Sequence, residues 1–204
     1  YGKQDVRTLE RAQETGFLLT NGLGGYASTM AGFGVPRCDQ GVLVAAVKAP
    51  NVRINMVHRL QEVLTIGDKE LFLSTQDFAD GTPAEEGHKN LAVFAYDGLP
   101  CWTYDVWGVR VTRRLVLAQE KNTAVVLYEI ENRSGKAVSL NVRPFLKFVP
   151  RENVIEAKKE FTYQRGVVTS DGYRRYIRTG ASLKKIAPVW QSLRYSEDAK
   201  DGRP

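Results

Sequence analysis

Two cysteines and two histidines in 204 residues are too few for a disulfide scaffold or a Cys/His-rich metal module. No run approaches about 18 uninterrupted apolar residues, so nothing reads as a membrane-spanning helix. Long helical periodicities are lacking as well. Tyr1 stands where a start Met would, and no basic-then-apolar leader follows. These features read as a cytoplasmic chain cut from something longer. Disorder is excluded, because 43% of the residues are hydrophobic and 25% charged. A chain of 204 residues can bury a sizeable core, as one large or two small domains.

What is plentiful is glycine and two-residue periodicity. Val109, Val111, Leu115 and Leu117 alternate with Arg110, Thr112 and Arg114, one face dry and one wet. The same alternation runs from Val138 to Phe148. Thr123–Glu131 is a further strand, and Asn132-Arg133-Ser134-Gly135-Lys136 suits a turn, which predicts a hairpin of 123–131 with 137–148. Upstream, Val42–Val47 reads as a buried strand, and Val52–His58 and Gln61–Ile66 alternate. Gly67-Asp68-Lys69 then turns into Glu70–Leu73, and Trp102–Trp107 precedes Gly108. The polar stretch Asp77–Asn90 reads as a long loop. Phe161–Thr169, Tyr173–Thr179 and Val189–Tyr195 look like more strands of one domain. Short strands joined by turns predict an all-β fold, an antiparallel β-sandwich.

Several chemistries can be weighed on the residues. Gly22-x-Gly24-x-x-Ala27 has the spacing of a dinucleotide fingerprint, but that motif needs a helix to start at the glycines. Gly32, Gly34 and Pro36 follow, so the segment reads as a turn with positive φ angles. Asp77, Asp80, Glu85, Glu86, Asp97 and Asp105 show no spacing that marks a glycosidase acid pair. His58, at a strand end, and His88, in the polar loop, lack a neighbouring nucleophile motif, so no triad or metal site is expected. Cys38 and Cys101 read as free thiols. Trp102, Tyr104 and Trp107 could stack on sugar rings, though core packing is the commoner use of such rings. Residues 151–204 hold twelve Lys and Arg against seven Asp and Glu, most of the chain's net charge of +6. Tyr173-Arg174-Arg175-Tyr176 mixes base and aromatic, but the interleaved acids disfavour nucleic-acid binding.

The stretch Phe17–Ser28 (FLLTNGLGGYAS) resembles the opening of the N-terminal domain of bacterial and archaeal glycogen debranching enzymes. Arg37 and Gly41-Val42-Leu43-Val44-Ala45 continue the match, whereas Cys38-Asp39-Gln40 replaces the family's Arg/Lys-Tyr-His. Trp102-x-Tyr104 before Gly108, Lys121-Asn122-Thr123, and the ending Ser196–Arg203 (SEDAKDGR) fit later family segments in order. The resemblance implies a super-sandwich β domain preceding a catalytic α/α-toroid that hydrolyses α-1,6-glucosidic branches. The catalytic carboxylates belong to that toroid, so this chain alone should be inactive, with no cofactor or metal. The expected partners are the toroid and an α-glucan. Asn21, Arg37 and Trp102 are the candidate glucan contacts, with capping of its own turn as the alternative role for Asn21, and Asp198, Asp201 and Arg203 are the candidate interface residues. A basic last quarter beside the expected junction would then form one side of that interface. A free-standing carbohydrate-binding sandwich and a basic nucleic-acid binder are the alternatives.

Overall fold

The computed structural model describes residues 1–203. A short helix α1 (Leu9–Glu14) precedes the first strands, β1 (Leu19–Thr20), β2 (Tyr26–Ser28), β3 (Gly41–Lys48), β4 (Val52–Ile66) and β5 (Lys69–Phe72). Next come β6 (Thr75–Gln76), β7 (Glu85–Glu86), β8 (Leu91–Asp97), β9 (Leu99–Val106), β10 (Val109–Leu117), β11 (Ala124–Asn132) and β12 (Val138–Pro150). The last elements are β13 (Thr162–Gln164), β14 (Val167–Ser170), β15 (Tyr173–Tyr176) and a short helix α2 (Ser196–Lys200). One sheet runs β1-β2-β3-β4-β12, with β5 also on β4, and the second runs β11-β10-β9-β8. Every pairing is antiparallel. Side chains of both sheets fill one core: Leu43, Ile54 and Leu64 from the first, Trp102, Val111 and Leu115 from the second. The antiparallel β-sandwich expected from the alternation is present. No helix among the described residues is long and apolar enough to cross a membrane.

The expected hairpin of 123–131 with 137–148 does not form. Strand β11 pairs with β10, and β12 pairs with β4 in the other sheet. The turn residues are real, but they carry the chain across the sandwich instead of back along itself. Asn132 Oδ1 accepts from the Ser134 amide and hydroxyl, and its Nδ2 donates to the Lys136 carbonyl at 2.8 Å. The Arg133 amide donates to Gly108 O, and the Gly67 amide to Ala137 O, so the corner is tied to a turn of each sheet.

Other expectations are redrawn. Val52–Ile66 is one fifteen-residue strand, so His58 lies inside it and not at a strand end. Phe161–Thr169 splits into β13 and β14 around Arg165 and Gly166, both at positive φ. Val189–Tyr195 is no strand; only Leu193 forms a bridge, to Phe78. The 77–90 stretch is held rather than loose, with β7 paired to β6 and a 3₁₀ turn at Gly87–Asn90. The small sheet β13-β14-β15 joins the common core through buried Val168 and the half-buried Phe161, Tyr163 and Tyr173.

Candidate functional site

The Gly-rich segment is the turn between β1 and β2, with Gly22 at φ +76° and Gly24 at φ +89°. No helix starts there, which removes the nucleotide reading. Asn21 builds the turn from inside. Its Oδ1 accepts from the amides of Leu23 (3.0 Å) and Gly25 (2.9 Å), and its Nδ2 donates to Lys121 O (3.0 Å) and Asn122 Oδ1 (3.2 Å). The side chain is fully buried and its polar atoms are occupied, so Asn21 shapes the turn from inside and has no surface to offer a ligand. A Cβ on Gly25 would meet Asn21 Nδ2 at 2.8 Å and Val44 O at 3.1 Å, which is why the backbone can close here only with glycine. Asn21→Ala strands the Leu23 and Gly25 amides and should cost about 1–3 kcal/mol in urea unfolding. A loss under about half a kcal/mol would mean that water replaces the side chain.

Beside this turn lies an open cavity of about 470 Å³. Thr20, Gly24, Gly25, Tyr26 and Ser28 of the turn form one part of its wall. Arg37, Asp39, Arg53 and Arg151 supply its charges. The Tyr26 hydroxyl donates to Asp39 O at 2.6 Å, and burial raises its pKa. Arg53 Nε donates to Gly24 O at 2.6 Å.

Arg37, Asp198 and Asp201 come together although they lie far apart in sequence. Arg37 Nη1 donates to Asp201 Oδ2 at 2.6 Å and to Asp198 Oδ1 at 3.3 Å. Asp198 Oδ2 accepts the Cys38 amide at 2.7 Å, and the Glu197 amide donates to Pro36 O. The end of the chain thus clasps the loop that forms one wall of the cavity. Asp198 is 1% exposed and holds its own chain, whereas Asp201 at 44% and Arg203 at 60% have surface to offer.

Trp102 is a correction. It is fully buried, its Nε1 donates to Ala31 O at 2.8 Å, and its ring packs against Phe17, Phe33 and Phe94. It cannot stack on a sugar. The exposed ring is Trp107, 53% exposed at the β9–β10 turn with Lys69 Nζ over it at 5.1 Å. Cys38 and Cys101 are both free, as expected.

Behind the 37–40 loop sits a second cluster of buried titratable groups. His58 Nδ1 lies 2.9 Å from Gln40 O and 3.1 Å from Asn55 Nδ2, which itself donates to Gln40 O. The carbonyl can only accept, so it selects the tautomer protonated at Nδ1, with Nε2 accepting from the Tyr195 hydroxyl at 3.0 Å. Burial, with Lys147 and Arg59 nearby, holds the His58 pKa well below 6.5. Lys147 Nζ donates to Cys38 O at 2.8 Å, and burial lowers its pKa to about 8. The unfolded chain takes up a proton near pH 6.5 that the folded His58 refuses. The neutral ring's contribution is therefore present above that pH and is lost as the pH falls toward the folded value. Stability should drop by up to about 1.4 kcal/mol per pH unit below about 6.5, and His58→Gln should flatten this part of the profile. An unchanged slope in the variant would exclude His58 as its source.

The arginines Arg53 and Arg151 escape a sequence reading. Arg53 opens β4, and Arg151 follows Pro150, where it looks like part of a general run of charge. Neither lies near the turn in sequence, and only the pairing of β3 with β4 and of β4 with β12 brings them to it.

The glycogen debranching enzyme N-terminal family matches this chain over residues 16–204. No curated protein and no solved structure matches it. The match begins just before the turn and runs through the helix that clasps Arg37, so the residues that build the site are those the family model spans. The chain belongs to the glycogen debranching enzyme N-terminal family.

Proposed function

We propose that this chain is the non-catalytic N-terminal domain of an α-1,6-glucosidase and helps hold an α-glucan beside a catalytic α/α-toroid. One observation supports this above the others. The Gly-rich turn and Arg37, the segments that most resemble the family, meet as the wall of a single cavity. Its size falls within the range of about 300–1,000 Å³ usual for small-molecule sites. Backbone groups of the turn and the Tyr26 ring suit hydroxyl groups and the apolar face of a sugar. The exposed Asp201 and Arg203 face outward next to the clasp and would meet the toroid. Titration calorimetry with maltooligosaccharides and panose tests glucan binding, and co-purification with the catalytic domain tests the partner. The expected result is heat from the oligosaccharides and a stable complex with the toroid. Silence in both experiments would overturn the proposal.

A further inference from the structure

We infer that the cavity beside the Gly-rich turn takes a phosphomonoester carried on a sugar, with Arg53 as its principal ligand. The inference rests on the glucan reading and adds a charge requirement to it. A neutral sugar needs hydrogen bonds and apolar surface, but no excess of formal charge. This cavity nevertheless carries three guanidiniums, from Arg37, Arg53 and Arg151, against the single carboxylate of Asp39. Two of the three are partly offset from outside the cavity. Arg37 is held through Nη1 by Asp198 and Asp201, and Arg151 through Nε and Nη2 by Glu152.

Arg53 differs from both. Its side chain donates to a backbone oxygen, Gly24 O, and no carboxylate lies within 4.0 Å of it among the described residues. The hydrogen bond from Nε places the guanidinium beside the turn and leaves its Nη1–Nη2 edge uncommitted. Gly24 is held to glycine by its φ of +89°, and the guanidinium lies against it in van der Waals range, 3.4 Å from where a Cβ would stand. A planar fork held in place beside an open cavity is the geometry that suits bidentate contact with phosphate. The open cavity of about 470 Å³ has room for more than a bare anion, so a phosphate carried on a sugar fits it. The Asp39 carboxylate, which would repel an anion, suits a hydroxyl donor of that body.

Calorimetry on the full chain tests this with glucose 1-phosphate, glucose 6-phosphate, glucose, maltose and inorganic phosphate. A phosphorylated α-glucan before and after phosphatase treatment separates a free sugar phosphate from a phosphate on the polymer. At least one phosphorylated sugar should bind about tenfold or more tightly than its neutral parent, and weaken as salt rises. Its binding should also weaken as the pH falls below about 6, where the phosphate loses its second charge. Arg53→Ala should remove about tenfold of that affinity, a larger factor than it removes from the binding of neutral sugars, with Arg53→Lys falling between. Unchanged unfolding midpoints in both variants would exclude a folding defect. Equal binding of phosphorylated and neutral sugars would overturn the charge requirement while leaving the glucan reading intact. Binding of inorganic phosphate as tight as that of any sugar phosphate would overturn the sugar. Phosphorylated sugars binding where maltooligosaccharides give no heat would support this site and count against the neutral-glucan reading.

Discussion

Arg113→Met should destabilise the fold by about 3–5 kcal/mol, because it leaves the Glu62 carboxylate buried without its cation. The two residues project from opposing sheets, Arg113 from β10 and Glu62 from β4, and each side chain is 0% exposed. Glu62 holds Arg113 Nη1 and accepts from the Tyr128 hydroxyl, while Arg113 Nη2 donates to the Tyr104 hydroxyl at 2.9 Å. That hydroxyl donates in turn to Leu73 O at 2.7 Å. The guanidinium also lies 3.5 Å from the ring centroid of Phe33 and 4.4 Å from that of Trp102. A carboxylate, a phenol and two aromatic faces thus replace part of the lost hydration of the Arg113 charge, while its buried Nε has no hydrogen-bond partner among the described residues. Burial pushes the Glu62 carboxyl upward, and Arg113 offsets part of that rise. Removing the cation removes the offset. The carboxyl must then take up a proton on folding or remain as an uncompensated charge. The double variant Glu62→Leu/Arg113→Met should recover much of the loss, since an apolar pair of similar volume replaces an ion pair at little net cost. Urea unfolding midpoints of the two single variants and the double variant make the comparison. Single variants near the wild-type midpoint would mean that the pair is hydrated or unformed.

The same residue shows how far the sequence can be read. The alternation of Val109, Val111, Leu115 and Leu117 correctly gives the strand and its dry face. Arg113 has the parity of that dry face, and Glu62 has the parity of Leu64 and Ile66. A charge at an inward position signals a buried ionic contact, but nothing local names its partner, which comes from the opposite sheet. The 132–136 corner fails for a related reason. Asn132, Ser134 and Gly135 specify that the chain bends, and this is a local property. Whether the next strand lies beside the last one or in the facing sheet depends on contacts with Gly108 and Gly67, which are remote in sequence.

The candidate site divides along the same line. The Gly-rich turn is legible because positive φ angles select glycine and the Asn21 side chain bonds within four residues of itself. Arg37 is legible as a residue of interest, but its contacts with Asp198 and Asp201 are more than 160 positions away in the chain. The basic last quarter first reads as one side of an interface. In the fold part of that charge is answered internally, Lys159 by Asp171, Arg151 by Glu152 and Arg194 by Asp77. The cavity's excess comes instead from arginines on three separate segments, and no charge count along the chain could assemble them.

Trp102→Ala should cost about 3–5 kcal/mol, whereas Trp107→Ala should stay within about 0.5 kcal/mol of the wild type. The two tryptophans stand five positions apart on one hairpin, and strand alternation places them on opposite faces without saying which face is covered. The structure supplies the answer through what lies over β9. Phe17 and Phe33 reach Trp102 with ring centroids at 5.5 and 5.1 Å, both edge-on, the arrangement that ring quadrupoles favour. Both rings come from the segments that flank the Gly-rich turn, so Trp102 anchors the scaffold of the cavity without lining it. Truncation leaves a void, an unanswered Ala31 carbonyl and one bare face on the Arg113 guanidinium. Because that guanidinium is shared, the loss in Trp102→Ala and the loss in Arg113→Met should not add, and the double variant should fall short of the sum. Strict additivity in a double-mutant cycle would mean that the ring and the cation stabilise the core independently. Trp107 has no such cover: it is 53% exposed, with Lys69 Nζ over its ring. Its replacement should alter tryptophan emission from a solvent-exposed site and leave the unfolding midpoint in place.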